Sequence, residues 1–474
     1  MDRDQQKNGV NSTVEVDGPS NKIDQPTAPD EFDERYRTTR MEIWAYYAYY
    51  IGNNGLSLFN FAPTAFQNLL YQAAPSDGLL DFIGRPRTIN SIVLLSNGIS
   101  FAIQAVIFLV IGSFADFGHW RPNILIVLSI IAYAIGFGWL GVHTSDKWHV
   151  AIGLYMVGLI AYQTTLTFWT AAFPGLARNS LELKEKADAY VAGTITRDEY
   201  DYADSIMRSK LANVAFYVQS VAEIFILAII VGIMFGLNVN ASESNNNWGL
   251  SVLIAFVSGV WLLVSIPWFA LEKRRPGQDP GRRSVLIAGL WQLWHAMKQI
   301  WHLKQSLLYL IGYFLLGDSL NTTVTVIATL QNSIVAYNTL ELTYLLIVGI
   351  AAQVYQAFYG LFICPWYSYS QIMISEVTPR GHEFLFFSLF SIIGKTSSFI
   401  GPIVSSAIID ASPSGNVSIP FYFLFALSVV SFLILFWGVD LKKSQREQER
   451  FLLDKLRRLD ASTSSSEEGT IAAV

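Results

Sequence analysis

Long apolar runs separated by short polar stretches dominate this chain. Ile43–Ala65, Ile89–Ile111, Ile124–Leu140, Val150–Phe173, Leu211–Leu237 and Trp248–Leu271 fill the first half. Each approaches the ~20 residues that an α-helix needs to span the hydrocarbon core of a bilayer. The pattern predicts six membrane helices there. In the second half the runs are Leu307–Leu330, Glu341–Val377, Phe384–Ile409 and Ile419–Val439. Glu341–Val377 is too long for one crossing and is interrupted at Cys364-Pro365. The second half therefore reads as four crossings, or five partial ones. Between the runs, 66–88 and 238–247 read as loops. Residues 177–209 read as a charged, helix-forming connection outside the membrane. Residues 285–303 interleave Leu290, Trp291, Leu293, Trp294, Met297, Ile300 and Trp301 with Gln, His and Lys, the pattern of an interfacial amphipathic helix or of a buried connector.

Composition agrees with an all-α polytopic membrane protein. Of 474 residues, 52% are hydrophobic and only 15% are charged, against roughly 25% charged in soluble domains. The net charge of −5 is spread over tails and loops, which argues against a nucleic-acid partner. A single cysteine, Cys364, leaves no disulfide framework and no multi-cysteine metal or haem site. The six histidines are scattered at helix ends without metal-ligand spacing, so no metal, no cofactor and no enzymatic activity are expected. Residues 1–40 are polar and lack the apolar core of a signal peptide. They are too poor in large apolar groups to fold. Five regions follow: a disordered tail (1–40), a six-helix half (41–271), a basic linker with an amphipathic helix (272–305), a shortened helical half (306–440) and a basic tail (441–474).

Basic residues set the expected orientation. Glu272-Lys273-Arg274-Arg275 with Arg282-Arg283, and the cluster Lys442, Lys443, Arg446, Arg450, Lys455, Arg457 and Arg458, belong in the cytosol by the positive-inside rule. Both termini are then cytosolic. The loops 238–247, 331–340 and 410–418 fall on the other side and carry no Lys or Arg. Two of them hold glycosylation sequons, at Asn240 and Asn416. Sequons at Asn11 and Asn321 are discounted, one as cytosolic and one as intramembrane. Arg85, Arg87 and Lys147 break the charge rule on the non-cytosolic side.

Polar residues at membrane depth mark candidate chemistry, because they are costly unless they face protein or a cavity. They are Asn53 and Asn54 between Gly52 and Gly55, then Gln163, Gln219, Glu223, Asp318, Asn321 and Lys395. Two readings stay open for each. The side chain lines a path for a small polar solute, or it bonds across to a neighbouring helix and locks it. Glu223 and Asp318 are the acids best suited to meet an ammonium group or to carry a coupling proton. Lys395 suits a carboxylate.

Gly112-Ser113-Phe114-Ala115-Asp116-Phe117-Gly118-His119-Trp120-Arg121 lies between the second and third runs. It resembles the loop signature between helices two and three of the major facilitator superfamily. Gly118 comes one place early, and His119-Trp120 replace the usual glycine-arginine. The superfamily fold has two pseudo-symmetric six-helix halves, so the second half lacks about two helices, at a discontinuity near Ala352. By the resemblance, Gly112, Asp116, Gly118 and Arg121 form a gating motif, with the Asp116 carboxylate resting at the amino end of the helix that starts near Phe384.

Further stretches resemble one family within that superfamily. They are Trp44-Ala45-Tyr46-Tyr47-Ala48-Tyr49-Tyr50, Pro267-Trp268-Phe269 followed by Glu272-Lys273-Arg274-Arg275-Pro276, Tyr313-Phe314-Leu315-Leu316-Gly317-Asp318, and Pro365-Trp366-Tyr367-Ser368-Tyr369-Ser370 followed by Glu376-Val377-Thr378-Pro379. Together they look like the autophagy-related protein 22 family of fungi, over about Thr39–Lys443. The resemblance implies a multi-pass vacuolar membrane protein that exports leucine and other neutral amino acids, freed by autophagic degradation, to the cytosol during nitrogen starvation. Its partners would be the amino acid, protons and the lipid bilayer. The alternative is a transport-inactive membrane scaffold or sensor.

Overall fold

The computed structural model describes residues 32–116, 120–275, 284–334, 397–412 and 418–444, with isolated positions among 339–394 and at 416 and 446–451. The described chain is almost entirely helical. The first crossing is not one helix. Helix α1, Arg40–Gly52, ends at Asn53 and is followed by a π-helical turn, Leu56–Phe61, and by α2, Ala62–Ala73. Gly55 adopts φ +92°, a left-handed conformation that costs glycine nothing. The Asn54 side-chain oxygen accepts from the Leu56 backbone N–H at 2.9 Å, so the amide competes with the helical ladder and starts the next segment.

The region 66–88, expected as a loop, is corrected on two counts. Helix α2 continues to Ala73 because Ala62, Ala65, Phe66, Leu69 and Leu70 bury one face at helical spacing, while Gln67 and Gln72 interrupt the apolar run in sequence. Then β1, Leu79–Phe82, pairs antiparallel with β2, Arg85–Thr88. Ile83 and Gly84 close the hairpin, both with positive φ (53° and 72°), the pattern of a tight two-residue turn.

Helix α3, Ile89–Asp116, runs through Gly112 to Asp116, so most of the stretch read as a connecting turn is helical. Helix α4 starts at Arg121 and ends at Gly138. Helix α5 is Trp148–Thr170, α6 Phe173–Arg178 and α7 Leu181–Val191. Helix α8 is one unbroken element, Arg197–Gly236, opened by a reciprocal Thr196–Glu199 capping box. It carries the charged connection straight into the fifth crossing. Helix α9 is Glu243–Leu271 and α10 is Val285–Ile300, inside the stretch of amphipathic pattern. Helix α11 is Lys304–Ile334, α12 Ile400–Ala411 and α13 Pro420–Leu433, which continues as a π-helical turn to Gly438. The over-long run Glu341–Val377 lies largely outside the described residues. Seven helices among the described residues are long and apolar enough to cross a membrane. The broken first crossing and the short α12 come in addition. Exposed Val106, Ile130, Phe225, Leu263, Phe432 and Trp437 suit an outer wall in contact with lipid.

Ion pairs collect on the face where α1 begins and α9 ends. Glu42 and Arg275, both almost fully buried, pair at 2.7 Å, and Arg275 also donates to the Tyr36 carbonyl and the Thr38 hydroxyl. Arg121 pairs with Glu272 at 3.0 Å and donates to the Ala171 carbonyl. Burial pushes the Glu272 carboxyl above the usual range, and Arg121 opposes that shift. This network fastens the segment before α1, the start of α4, the end of α5 and the linker after α9 into one cap.

Losing either member of a buried pair strands a charge. Glu42→Ala and Arg275→Ala should each lower stability by about 3–5 kcal/mol, and the double variant should lose clearly less than the sum. Thermal unfolding of the purified protein measures this. Additive losses would remove the coupling.

Candidate substrate site

The break in the first crossing is walled by helices. On one side α1 meets α9 so closely that a Cβ on Gly52 would lie 2.5 Å from the Trp261 Cα. On the other side it faces α5. Tyr46 and Tyr50 both stack on Trp169, each with ring centroids 4.4 Å away. The Trp169 indole donates to the Tyr46 carbonyl at 3.1 Å. Tyr162, also on α5, brings its hydroxyl against Gly55, where a Cβ would fall 2.9 Å from the oxygen. A side chain there would close the space beside the break.

Within this wall, Asn53 is fully buried. Its side-chain NH2 donates to the Thr165 hydroxyl at 3.4 Å, and that hydroxyl in turn donates to the Tyr162 carbonyl at 2.7 Å. The Thr165 proton is thus committed, which fixes Asn53 as the donor. Its buried Oδ1 has no hydrogen-bond partner among the described residues. Asn54 is complementary. Its Oδ1 is taken by the Leu56 N–H, and its buried Nδ2 has no partner among the described residues. One orphaned acceptor and one orphaned donor therefore sit on consecutive residues. Buried polar atoms are normally satisfied, and leaving one without a partner is costly.

Helix α8 supplies the acid. Glu223 is buried and accepts a hydrogen bond from the Gln219 amide one turn earlier. Helix α8 packs beside Tyr50 through Phe216, with ring centroids 5.3 Å apart. Asn53, at the end of α1, and Gln219 and Glu223, on α8, thus belong to two elements that meet at Tyr50. Gln163 is half-buried on α5, next to Tyr162. No group of three His, Cys, Asp or Glu residues able to hold a metal ion occurs among the described residues.

The second-half candidates are arranged differently. Asp318 accepts the Gly401 backbone N–H at 2.9 Å and the Thr322 hydroxyl at 3.3 Å. Gly401 is in the first turn of α12, where backbone donors lack helical partners. The carboxylate therefore caps α12 and ties it to α11. Asn321 donates to the Ser398 hydroxyl at 3.1 Å, on the 3-10 turn before α12. Among the described residues these contacts lock helices and do not join the cluster at Asn53. Lys395 and Gly118 lie outside the described residues. Gly112 and Asp116 fall on the last turns of α3, and the Asp116 carboxylate is likewise outside what is described. Arg121 belongs to the buried cap. The sequon residues Asn240 and Asn416 are both exposed.

Comparison with known proteins places this geometry. Residues 38–357 and 353–449 match the family model described as "Vacuole effluxer Atg22 like". The chain belongs to that family. The match comes in two pieces that meet near residue 355, within the stretch where a discontinuity is read from the sequence. Similar proteins include the autophagy-related protein 22 of Kluyveromyces lactis, 23% identical over 69% of this chain and 74% of the relative. That of Yarrowia lipolytica is 21% identical over 76% and 77%. That of Gibberella zeae is 25% identical over 48% of this chain and 44% of the relative.

Three contributors to the site were not singled out from sequence: Tyr50, Tyr162 and Thr165. The tyrosine run Tyr46–Tyr50 carried only a family likeness, and a threonine inside an apolar helix gives no directional signal. Their roles arise from the convergence of α1, α5 and α8.

An α12 cap needs an acceptor and not a charge. Asp318→Asn should therefore keep thermal stability within about 1 kcal/mol, while Asp318→Ala leaves a buried N–H unpaired and costs about 1–3 kcal/mol. Thermal unfolding of both variants tests the assignment. Equal losses would show that the charge itself matters.

Proposed function

We propose that this chain exports neutral amino acids, such as leucine, from the vacuole to the cytosol, in the setting of autophagic breakdown under nitrogen starvation. The observation that carries the reading is the pair of orphaned amide atoms on Asn53 and Asn54. An amino acid at neutral pH is a zwitterion. Its ammonium group needs acceptors, and its carboxylate needs donors. Asn53 Oδ1 and the Glu223 carboxylate suit the first, and Asn54 Nδ2 suits the second. A neutral side chain would then rest on the aromatic wall of Tyr50 and Tyr162. Family membership and the names of the relatives support the vacuolar export role.

Glu223 is also the acid placed to exchange a coupling proton, since it lies in the wall of the path and is not committed to a helix cap. The second reading, a transport-inactive scaffold or sensor, draws on the shortened second half. The positive-inside pattern supports cytosolic termini. Exposed Asn240 and Asn416 would then carry glycans, removable by a glycosidase, whereas Asn11 and Asn321 would carry none.

The deciding measurement is uptake of radiolabelled leucine by purified protein in liposomes, with and without a pH gradient. Flux through the unaltered chain is expected, driven by the gradient. Asn53→Ala and Glu223→Gln should each lower it by roughly tenfold, the loss of one interaction of about 1.4 kcal/mol. A well-folded chain with background flux would select the scaffold.

A further inference from the structure

The contacts that join the two halves gather on the face away from the Glu42–Arg275 cap. Arg87 on β2 forms an ion pair with Asp410 at the end of α12. The same guanidinium donates through Nε to the Phe82 carbonyl across the hairpin at 3.3 Å, which fixes its direction. One turn deeper, the Ser91 and Ser406 hydroxyls bond at 2.8 Å, and Ser406 donates to the Ser91 carbonyl at 3.1 Å. Deeper again, α3 and α12 touch at Gly98, where a Cβ would fall 2.4 Å from the Ile403 side chain. The seam is thus an ion pair at the rim, hydroxyls below it and a glycine contact beneath. Gln67 on α2 adds a bond to the Thr329 carbonyl of α11 at 3.2 Å.

We infer that the β1–β2 hairpin is a releasable clasp: by holding α12 through Arg87 and Asp410, it shuts the transport path on the hairpin face. Three features carry this. Among the described residues Arg87–Asp410 is the one ion pair between the first half and the helices after the linker, while Glu42, Arg121, Glu272 and Arg275 pair without reaching α11, α12 or α13. The pair is partly exposed, at 17% and 24%, so water and salt weaken it and it is able to open. Below the rim, serine hydroxyls and the Gly98 contact lie beside a small apolar cluster in which Leu94 of α3 meets Ile409 of α12, Val326 and Leu424, so the seam keeps an apolar floor about which the rim can open. Arg87, which breaks the positive-inside rule as a mere loop charge, thereby gains a reason to be there.

The inference rests on the transport reading, so its test has an arm that does not depend on flux. In a Cys364→Ser background, Arg85→Cys and Ala411→Cys, exposed neighbours that leave the Arg87–Asp410 pair in place, are combined in the full chain. First, spin labels at both sites report their separation in liposomes with and without leucine. Two populations are expected, one short and one long. A single unchanged separation in both conditions overturns the clasp, whatever the protein transports. Second, a reducible bifunctional thiol reagent links the two cysteines. Leucine flux should fall to background in the linked protein and return on reduction of the same sample. Equal flux in linked and reduced samples also overturns it.

Discussion

A polypeptide in a bilayer has to satisfy its backbone polar groups from within, because lipid offers none. Everything distinctive in this molecule follows from one place where that rule is strained. Between Gly52 and Leu56 the helical ladder stops. Such a break is stable only where protein encloses it. Here α9 closes in at Trp261, α5 supplies Trp169, Thr165 and Tyr162, and α8 brings Glu223. The aromatic wall serves two ends. It excludes lipid from the broken backbone, and it encloses two amide atoms that have no hydrogen-bond partner among the described residues.

The two buried acids show how environment, not residue type, sets a role. Asp318 and Glu223 look equivalent in sequence, each a lone carboxylate in an apolar run. Asp318 meets the open first turn of α12, where a backbone N–H without a helical partner needs an acceptor. Glu223 meets only the amide of Gln219, one turn away on its own helix. It is tied to no other helix by a hydrogen bond among the described residues. The same two readings, path or lock, stood open for both residues; the contact to α12 makes Asp318 a lock, and for Glu223 both stay open.

The sequence carried the helices well and their interruptions poorly. Apolar runs fixed α3, α4, α5, α9 and α11 because a membrane helix must be apolar all along its length. The paired amides at Asn53 and Asn54 stood out as polar positions in a crossing, but the run Ile43–Ala65 read as one helix, and the break appears only where Gly55 turns left-handed and the Asn54 side chain takes the Leu56 N–H. The continuation of α2 to Ala73 was hidden: Gln67 and Gln72 are satisfied by polar partners, Asn90 and Asn247, and so dilute the hydropathy of a helix whose face through Gln67 is nonetheless buried. The hairpin was hidden too, because Arg85-Pro86-Arg87 reads as a polar loop, and its strand character comes from pairing with Leu79–Phe82. The candidate site was half legible. Asn53, Asn54, Gln219 and Glu223 announce themselves by polarity, whereas Tyr50, Tyr162 and Thr165 acquire meaning only when α1, α5 and α8 are brought together.

The distribution of charge between the two faces completes the picture. On the cap face, Glu42 and Arg275 are almost fully withdrawn from water, and a pair so placed is hard to separate, because each partner left alone would face an uncompensated desolvation cost. On the hairpin face, Arg87 and Asp410 keep partial contact with water, and separating them exposes two ions that solvent readily accepts. The same chemistry thus makes a permanent joint where it is buried and a temporary one where it is wet. A protein that must hold its first half rigid around a strained break, yet let its second half move against it, needs one of each. The permanent joint binds elements of the first half and the linker, and the temporary one spans the two halves.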